Sequence, residues 1–480
     1  MFEPCRPVRV GGWTRRAVAL AALALCSACS LAPTYQRPEV ALPAWPGAAQ
    51  TGRPSEAPSA AQLRWEAVYT DARLQGLIRV ALERNHDLRL AVARQEQARA
   101  LWGIQRADQI PTPTASLTRT GSFTPVGVAN NANGFNINRF DANLNLLSFE
   151  LDFWGRLANL SAAAKASFEA SDEDRRVVRM GLISEVANAY LLVLELQERE
   201  QLAQQTLTSR EQFLQLVLRK RDAGAASDVD VSVAQGAIAT AQADSVALTR
   251  QRQQALNALG LLVGGALPND LPAGRSLAEQ SLAPSWAADL PSEVLLRRPD
   301  VRAAESRLRA ANANIGAARA AFLPRIQLTG AVGTASTNLG SLFQDGTRSW
   351  SFVPSLQQPL FDAGRASGGV DLAQARKVEA VASYEKTLQQ AFREVADLLV
   401  ARDTLQQQLV AQNAFASSQL ERLRLTEARY QAGSASQLDW LDAQRDHYNA
   451  QQSVRQVQRQ LYGATALLYK ALGGGDEGRT

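Results

Sequence analysis

The residues that could do chemistry are few, and their spacing excludes most of it. His86 and His447 are the only imidazoles in 480 residues, and each falls on a helical pattern far from the other. No Ser/His/Asp order, no Cys/His ligand spacing and no phosphate-cradling glycine loop is present, and Met180 is the only methionine after Met1. Catalysis, a metal centre and a cofactor are therefore not expected. What remains is a charged constellation at two chain breaks: Asp228 and Asp230 close AGAASDVD (Ala223 to Asp230), and Asp439, Asp442 and Arg445 follow AGSASQ from Ala432. Carboxylates gathered at a constriction favour cations, and Asp442 and Arg445, three apart on a helix, can form an ion pair. Asp228, beside Ser227, is also what the first turn of a helix wants. Gly224 and Gly433 mark the two helix stops, as a contact point for another protein or as plain turns.

The elements that position these residues occur twice. Gly155 to Gly265 matches Gly364 to Gly474 without a gap at an offset of 209 residues, with Glu185-Val186-Ala187 reappearing as Glu394-Val395-Ala396. Upstream, Asp87 to Pro111 matches Asp300 to Pro324 at an offset of 213. Two long copies are a duplicated fold, not a solenoid. Leu157 to Arg221 has no proline, and Leu182, Val186, Ala189, Val193, Leu196, Glu200, Ala203, Leu207, Arg210, Leu214 and Val217, at alternating steps of four and three, trace a coiled-coil seam. The pattern predicts a helix of about 100 Å. A second helix returns from Asp228 to Leu262, and the second copy repeats the hairpin over 366–430 and 437–472. Asp71 to Ile110 also reads as helical, closed by Pro111 and Pro113.

Between the helices lie strands. Ser349 to Gln357 alternates Trp350, Phe352, Pro354 and Leu356 with polar positions, and Pro354 argues for an edge. Phe140 to Leu146 alternates in the same way until the parity flips to Leu147, Phe149, Leu151 and Phe153, as a bulge or a change of environment would require. Ala115 to Gly121 and Ile326 to Gly333 are weaker strands. Four strands cannot close a barrel, and open edges are not tolerated in lipid, so spanning strands imply several chains sharing one barrel.

At the start, Arg6, Arg9, Arg15 and Arg16 precede the short apolar run Ala17 to Leu25, which reads as an export signal. LCSACSLAPTYQRP resembles a lipoprotein lipobox with Cys29 as the acylated residue, which would tie the chain to a membrane surface. Removing residues 1–28 leaves no cysteine pair for a disulfide and lowers the formal charge from +5 to +2, with no basic cluster for nucleic acid. Beyond the signal no apolar run is expected to cross a membrane as a helix.

LRRPDVRAAE (Leu296 to Glu305), QPLFDAGR (Gln358 to Arg365) with its partner LDFWGR (Leu151 to Arg156), and YQAGSASQLDWLDAQR (Tyr430 to Arg445) resemble the outer-membrane factor (TolC/OprM-like) family, most closely its NodT-type branch of efflux lipoproteins. The resemblance covers Cys29 to about Gly474. It implies a mainly α chain with a membrane β part: a homotrimer with four strands per chain in a twelve-stranded outer-membrane barrel, and helical hairpins forming a periplasmic tunnel. It implies as partners a membrane-fusion adaptor, an inner-membrane pump of the resistance-nodulation-division type and outer-membrane lipid. It places Asp228, Asp230, Asp439, Asp442 and Arg445 at a periplasmic gate and Gly224 and Gly433 at the adaptor contact. Trp154, Trp350 and Phe361 would sit in interfacial belts, or for Trp154 and Phe361 in ordinary packing. The organisation expected is a signal peptide (1–28), a lipidated extended tail (29–60), repeat 1 (61–284), repeat 2 (285–474) and a short C-terminal tail (475–480). Efflux of small toxic compounds is the function implied; a type I secretion duct and a lipid-anchored coiled-coil scaffold are the alternatives.

Overall fold

The structure, a computed structural model, describes residues 30–40, 63–125, 135–280 and 292–474. Cys29 lies outside them, as do the signal peptide, most of the extended tail and the C-terminal tail. The chain forms two compact units that do not coincide with the repeats. One contains the segment up to Pro38, Glu96–Ala170 and Ala304–Tyr384, the other Glu39–Gln95, Ser171–Ala303 and the chain from Glu385 on.

The helices are α1 (Ala72–Arg84), α2 (His86–Ala107), α3 (Arg156–Asp222), α4 (Asp228–Val263), α5 (Pro299–Ala320), α6 (Arg365–Gln431) and α7 (Gln437–Ala471). The two long helices, α3 and α6, have 67 residues each and differ from the expected bounds by a single residue. Along the α3 seam Leu182, Val186, Val193, Leu196, Glu200, Ala203, Arg210 and Val217 are buried, while Ala189, Leu207 and Leu214 are half-buried. The two charged members are held by the returning helix α4. Glu200 accepts from Thr249 Oγ1 and Arg252 Nε, both at 2.5 Å, and Arg210 Nη1 donates to Ala237 O at 2.6 Å.

The apolar expectation needs one correction. A stretch of α3 is apolar and long enough to cross a membrane by composition, but half of it is buried inside the protein. Here Ile183, Ala187 and Leu191, all nearly inaccessible, add a second buried stripe to the seam. Tyr190 on this stretch donates to the buried Asp71 at 2.9 Å. Asp71 also accepts from Arg73 N, Arg275 N and Gln280 Nε2, which fixes the connector after α4. Burial alone would raise the Asp71 carboxyl; the four donors hold it below the usual carboxylate range.

A second correction concerns the helix expected from Asp71 to Ile110, which is broken at Asn85 (ψ 132°). Asn85 caps α2 by accepting from Leu88 N at 2.9 Å and donates to Leu262 O near the end of α4, also at 2.9 Å. The second copy solves the same problem with the RPD string. Buried Arg298 precedes α5, donates to Ala471 O at the end of α7 at 2.6 Å, and pairs with Asp300 and Glu394. In both copies, then, the residue before the short helix occupies a terminal carbonyl of the returning helix, a group that would otherwise be orphaned.

The strands β1 (Pro113–Thr124), β2 (Phe135–Leu151), β3 (Arg325–Ser336) and β4 (Arg348–Gln357) form one antiparallel sheet in the order β1-β2-β3-β4. The expected bulge is present: pairing between β2 and β3 shifts between Leu146 and Phe149, and Ser148 takes φ 50°. The extra residues let Leu146 and Phe149 share a face despite their opposite parity. Cross-strand rows therefore separate by chemistry. Ala115, Leu144, Val332 and Trp350 align in one row, while Ser116, Asn143, Gly333 and Ser349 align in its neighbour on the other face. Pro354 lies on β4, an edge strand, where a missing donor is tolerated.

The extended segment after Cys29 runs along one face of α5. Arg319 donates to Leu31 O, Asn312 to Pro33 O, and Tyr35 and Arg37 to the buried Glu305. Ala32 passes so close to Gly316 that a Cβ there would lie 2.7 Å from its nitrogen.

Candidate functional site

Two regions carry features that packing alone does not explain. The first is the sheet. Its apolar face is bare, with Trp350 79%, Leu117 70% and Leu356 66% exposed, and β1 and β4 leave both edges unpaired. In water such a surface would be an aggregation site; in hydrocarbon an open edge is equally untenable. Both liabilities disappear when further sheets continue the edges into a closed wall with the apolar face outward. Trp154 belongs to packing, since its Nε1 donates to Pro324 O at 2.8 Å, whereas Phe361 is 89% exposed just beyond β4.

The second region is the turn end of the two hairpins. Gly224 (φ 74°) and Gly433 (φ 73°) end α3 and α6 in the left-handed conformation. In each, the following residue bonds back to the carbonyl five positions earlier, Ala225 N to Lys220 O and Ser434 N to Arg429 O. A Cβ on either glycine would meet nothing within 4 Å, so backbone conformation and not crowding selects glycine there.

The return helices start with matching capping boxes. Ser227 Oγ accepts from Asp230 N while Asp230 Oδ2 accepts from Ser227 N at 2.8 Å; Ser436 and Asp439 repeat this, with the latter bond at 3.0 Å. The backbone and hydroxyl donors of Ser227 hold the Asp230 carboxyl below its usual range, and those of Ser436 do the same for Asp439. Asp230 and Asp439 thus each have one oxygen engaged in starting a helix. Asp228 occupies the first turn of α4, where its charge suits the helix dipole.

The other two expected gate residues do meet. Arg445 Nη1 lies 3.0 Å from Asp442 Oδ1, and the same guanidinium reaches Asp446 at 3.4 Å. Asp446, which the sequence reading missed, also receives Arg422 Nη1 from α6 at 2.6 Å. The Arg422 hydrogen bond, with Arg445 nearby, holds the Asp446 carboxyl below its usual range. The network runs Asp442, Arg445, Asp446, Arg422 and ties the two helices of the second hairpin. In the first copy Arg422 corresponds to Phe213 and Asp446 to Ala237, so the charged link exists on the second hairpin alone.

The substituted position is itself informative. Phe213 of α3 packs at a tilt of 46° against Trp440 of α7 (centroids 4.3 Å), which lies nearly parallel to Tyr430 of α6 at 5.8 Å. Lys220 Nζ of α3 sits 4.5 Å from the Tyr430 ring centroid. With Val217, Val231 and Ala234 these rings form a closed core joining the hairpins, and Gln437 Nε2 donates to Asp230 O across the same seam. The signal available in the sequence was the repeat register: Trp440 stands where the first copy has Val231. His447 is part-buried on α7, and burial lowers its pKa, which keeps it neutral. Among the described residues no group of His, Cys, Asp and Glu could hold a metal ion.

A four-stranded sheet with a bare apolar face and two open edges, in a chain that also forms two long helical hairpins, is the make-up of a subunit of a β-walled outer-membrane channel. The family model for outer membrane efflux proteins matches residues 77–265 and 290–474, and the chain belongs to that family. It is 43% identical over 460 residues to outer membrane protein OprJ of Pseudomonas aeruginosa, covering 94% of each chain. It is 40% identical to the solvent efflux pump outer membrane protein SrpC of Pseudomonas putida, covering 95% of this chain and 97% of the other. The solved open state of the MtrE outer membrane channel of Neisseria gonorrhoeae superimposes with a TM-score of 0.84 at 38% identity, covering 93% of this chain and 98% of that one.

Proposed function

We propose that three copies of this chain close into one twelve-stranded barrel and serve as the passive outer-membrane exit duct of a tripartite efflux pump of the resistance-nodulation-division type. The observation that carries the reading is the sheet: four strands with an apolar face outward and an unpaired edge on each side. Twelve strands, an even number, fall within the range of known outer-membrane barrels. The polar rows of Ser116, Asn143 and Ser349 then line a wet lumen. Nothing in the chain couples to an energy source, so an inner-membrane pump drives transport and a periplasmic adaptor joins the two. Acylation of Cys29 fixes the N-terminus to the membrane, and the strap on α5 carries that anchorage to the protein. The relatives, a solvent efflux pump component among them, support small toxic compounds as the cargo.

The hairpin tips are the gate in this reading, and the neighbouring channel described in an open state supports a device that moves. The aromatic core of Phe213, Tyr430 and Trp440 holds the second hairpin against the first, and the Asp442-Arg445-Asp446-Arg422 network keeps that hairpin rigid. The turns at Gly224 and Gly433 are offered to the adaptor. Deleting the gene and measuring drug susceptibility and dye accumulation tests the function: accumulation should rise, and complementation should reverse it. Unchanged accumulation in a strain without redundant ducts would refute the proposal.

A further inference from the structure

Below the sheet the first unit carries an open cleft of about 520 Å³ whose chemistry the duct itself does not require. Four arginines line it: Arg156 at the start of α3, Arg307 on α5, Arg325 at the start of β3 and Arg376 on α6. No lining residue is acidic, and the rest of the wall is Leu160, Leu372 and a bed of small side chains, mostly the alanines of α5. Arg156 is neutralised by Glu150 in a two-pronged pair at 2.8 and 2.7 Å. Arg325 and Arg376 form no ion pair and no side-chain hydrogen bond among the described residues, and both are exposed. Glu150 also acts on Arg325 through space, so one carboxylate serves two guanidinium groups and the wall keeps an excess of positive charge. Guanidinium groups in excess over a small-residue apolar floor are a recognition surface for an acidic group attached to a compact apolar body.

Two independent observations give the cavity its side. Arg325 shares strand parity with Gln327, which pairs with Glu150 and Ser355 on the polar face, and not with Ile326, which pairs with Leu151 and Leu356. On α5 the strap from Ser30 to Arg37 occupies the face of Glu305, Asn312 and Gly316, whereas Arg307, Asn314 and Ala318 of the cavity wall lie half a turn away. A strap leading from an acylated Cys29 belongs on the outside of the channel, so the opposite face looks inward. We infer that this arginine-lined cavity is an anion-binding site on the inner wall of the channel, taking the carboxylate, sulfonate or phosphate of amphiphilic compounds in transit. The inference rests on the proposed duct. In a trimer the site occurs three times at the same level and forms a cationic collar where the sheet meets the helices.

The test uses the purified full-length protein in planar bilayers of phosphatidylcholine, with the tip loosened by Trp440→Ala in every sample. Cholate, an amphiphilic carboxylate, should block current in a saturable way, and dodecyltrimethylammonium should block far less. In Arg325→Gln/Arg376→Gln the reversal potential in a salt gradient should move toward cation selectivity, and half-block by cholate should need at least about tenfold more. Arg325→Lys/Arg376→Lys keeps the charge, so its selectivity should stay near that of the parent. An unchanged reversal potential and unchanged block in a conducting Gln variant would overturn the site, as would absence of cholate block in the parent if the Gln variant fails to assemble. Block that appears only when phosphatidylglycerol is in the membrane would assign the arginines to lipid headgroups and overturn the lumenal site. A parent protein that never conducts would refute the duct and with it a site on its inner wall, whereas conduction with unchanged block in the Gln variant overturns the site alone.

Discussion

Trp440→Ala is the perturbation that separates a gating core from ordinary packing. Trp440 is 7% exposed and lies between Phe213 and Tyr430, so its removal empties the one closed core shared by α3, α6 and α7 at the tip. Truncating a buried aromatic of this size costs about 3–5 kcal/mol locally. Part of that is packing within the second hairpin, through Tyr430, and leaves the balance between open and closed states untouched. The part that spans the hairpins is the Phe213 contact at 4.3 Å, and an aromatic pair contributes about 0.5–1.5 kcal/mol beyond its buried area. If opening separates the hairpins, the closed state loses that amount relative to the open one, a shift of about 2- to 12-fold in the population of open channels. Single-channel recording in planar bilayers reads it as open probability, and hydrogen exchange reads the accompanying loss of protection in the first turns of α7. Phe213→Ala, which also removes the ring contact with Tyr430 at 5.9 Å, should give at least the same shift, and the double variant should fall short of the sum, because both remove the Phe213–Trp440 contact. Strictly additive open probabilities, or an open probability equal to wild type in a variant whose α7 has lost protection, would refute the reasoning.

Further outcomes follow from the same geometry. Gly433→Ala places an alanine at φ 73° with no steric neighbour, so its cost of about 1–2 kcal/mol is purely conformational and should appear as tip destabilisation in hydrogen exchange, with Gly433→Asn milder. Asp439→Ala removes a capping box and should weaken the start of α7 with little effect on open probability, whereas Asp446→Ala, which frees Arg422 and Arg445 within the second hairpin, should lower hydrogen-exchange protection where α6 meets α7 and likewise leave open probability near wild type. Glu305 is buried, which alone would raise its carboxyl, but Arg309 and Arg37 hold it below the usual range. A depressed folded pKa means the strap gains stability above the unfolded glutamate value of about 4.3 and loses it as pH falls through the lower folded value. Limited proteolysis of the segment up to Arg37 should therefore be slow at neutral pH and accelerate only below about pH 4.

Much of this architecture was legible in the chain because it rests on periodicity. The seam of α3 and the bulge in β2 follow from spacing alone, and the bulge was visible as a flip in parity before any pairing was known. The break at Asn85 was not, since Asn85 ends a helix through a carbonyl on α4 that is distant in sequence, whereas its counterpart in the second copy announces itself by Pro299. At the tips, spacing placed Asp442 beside Arg445 but could not distinguish a capping carboxylate from a free one. Asp230 and Asp439 resemble Asp442 in sequence, yet each points back to a serine three residues earlier. The Arg422 link to Asp446 and the contact of Phe213 with Trp440 bring together residues 24 and 227 positions apart, which no local pattern encodes.

Cysteine substitution along β4 tests the central claim most directly, because the sequence after residue 28 offers no cysteine besides Cys29. Intact cells carrying single cysteines at Ser349, Ser351, Ser355, Trp350, Phe352 or Leu356 would be treated with a membrane-impermeant, water-soluble thiol reagent. A shared barrel with a wet lumen predicts labelling at 349, 351 and 355 and protection at 350, 352 and 356, where the side chains face lipid. Equal labelling on both faces would contradict it, because the strand would then lie in water and the chain would not wall a channel.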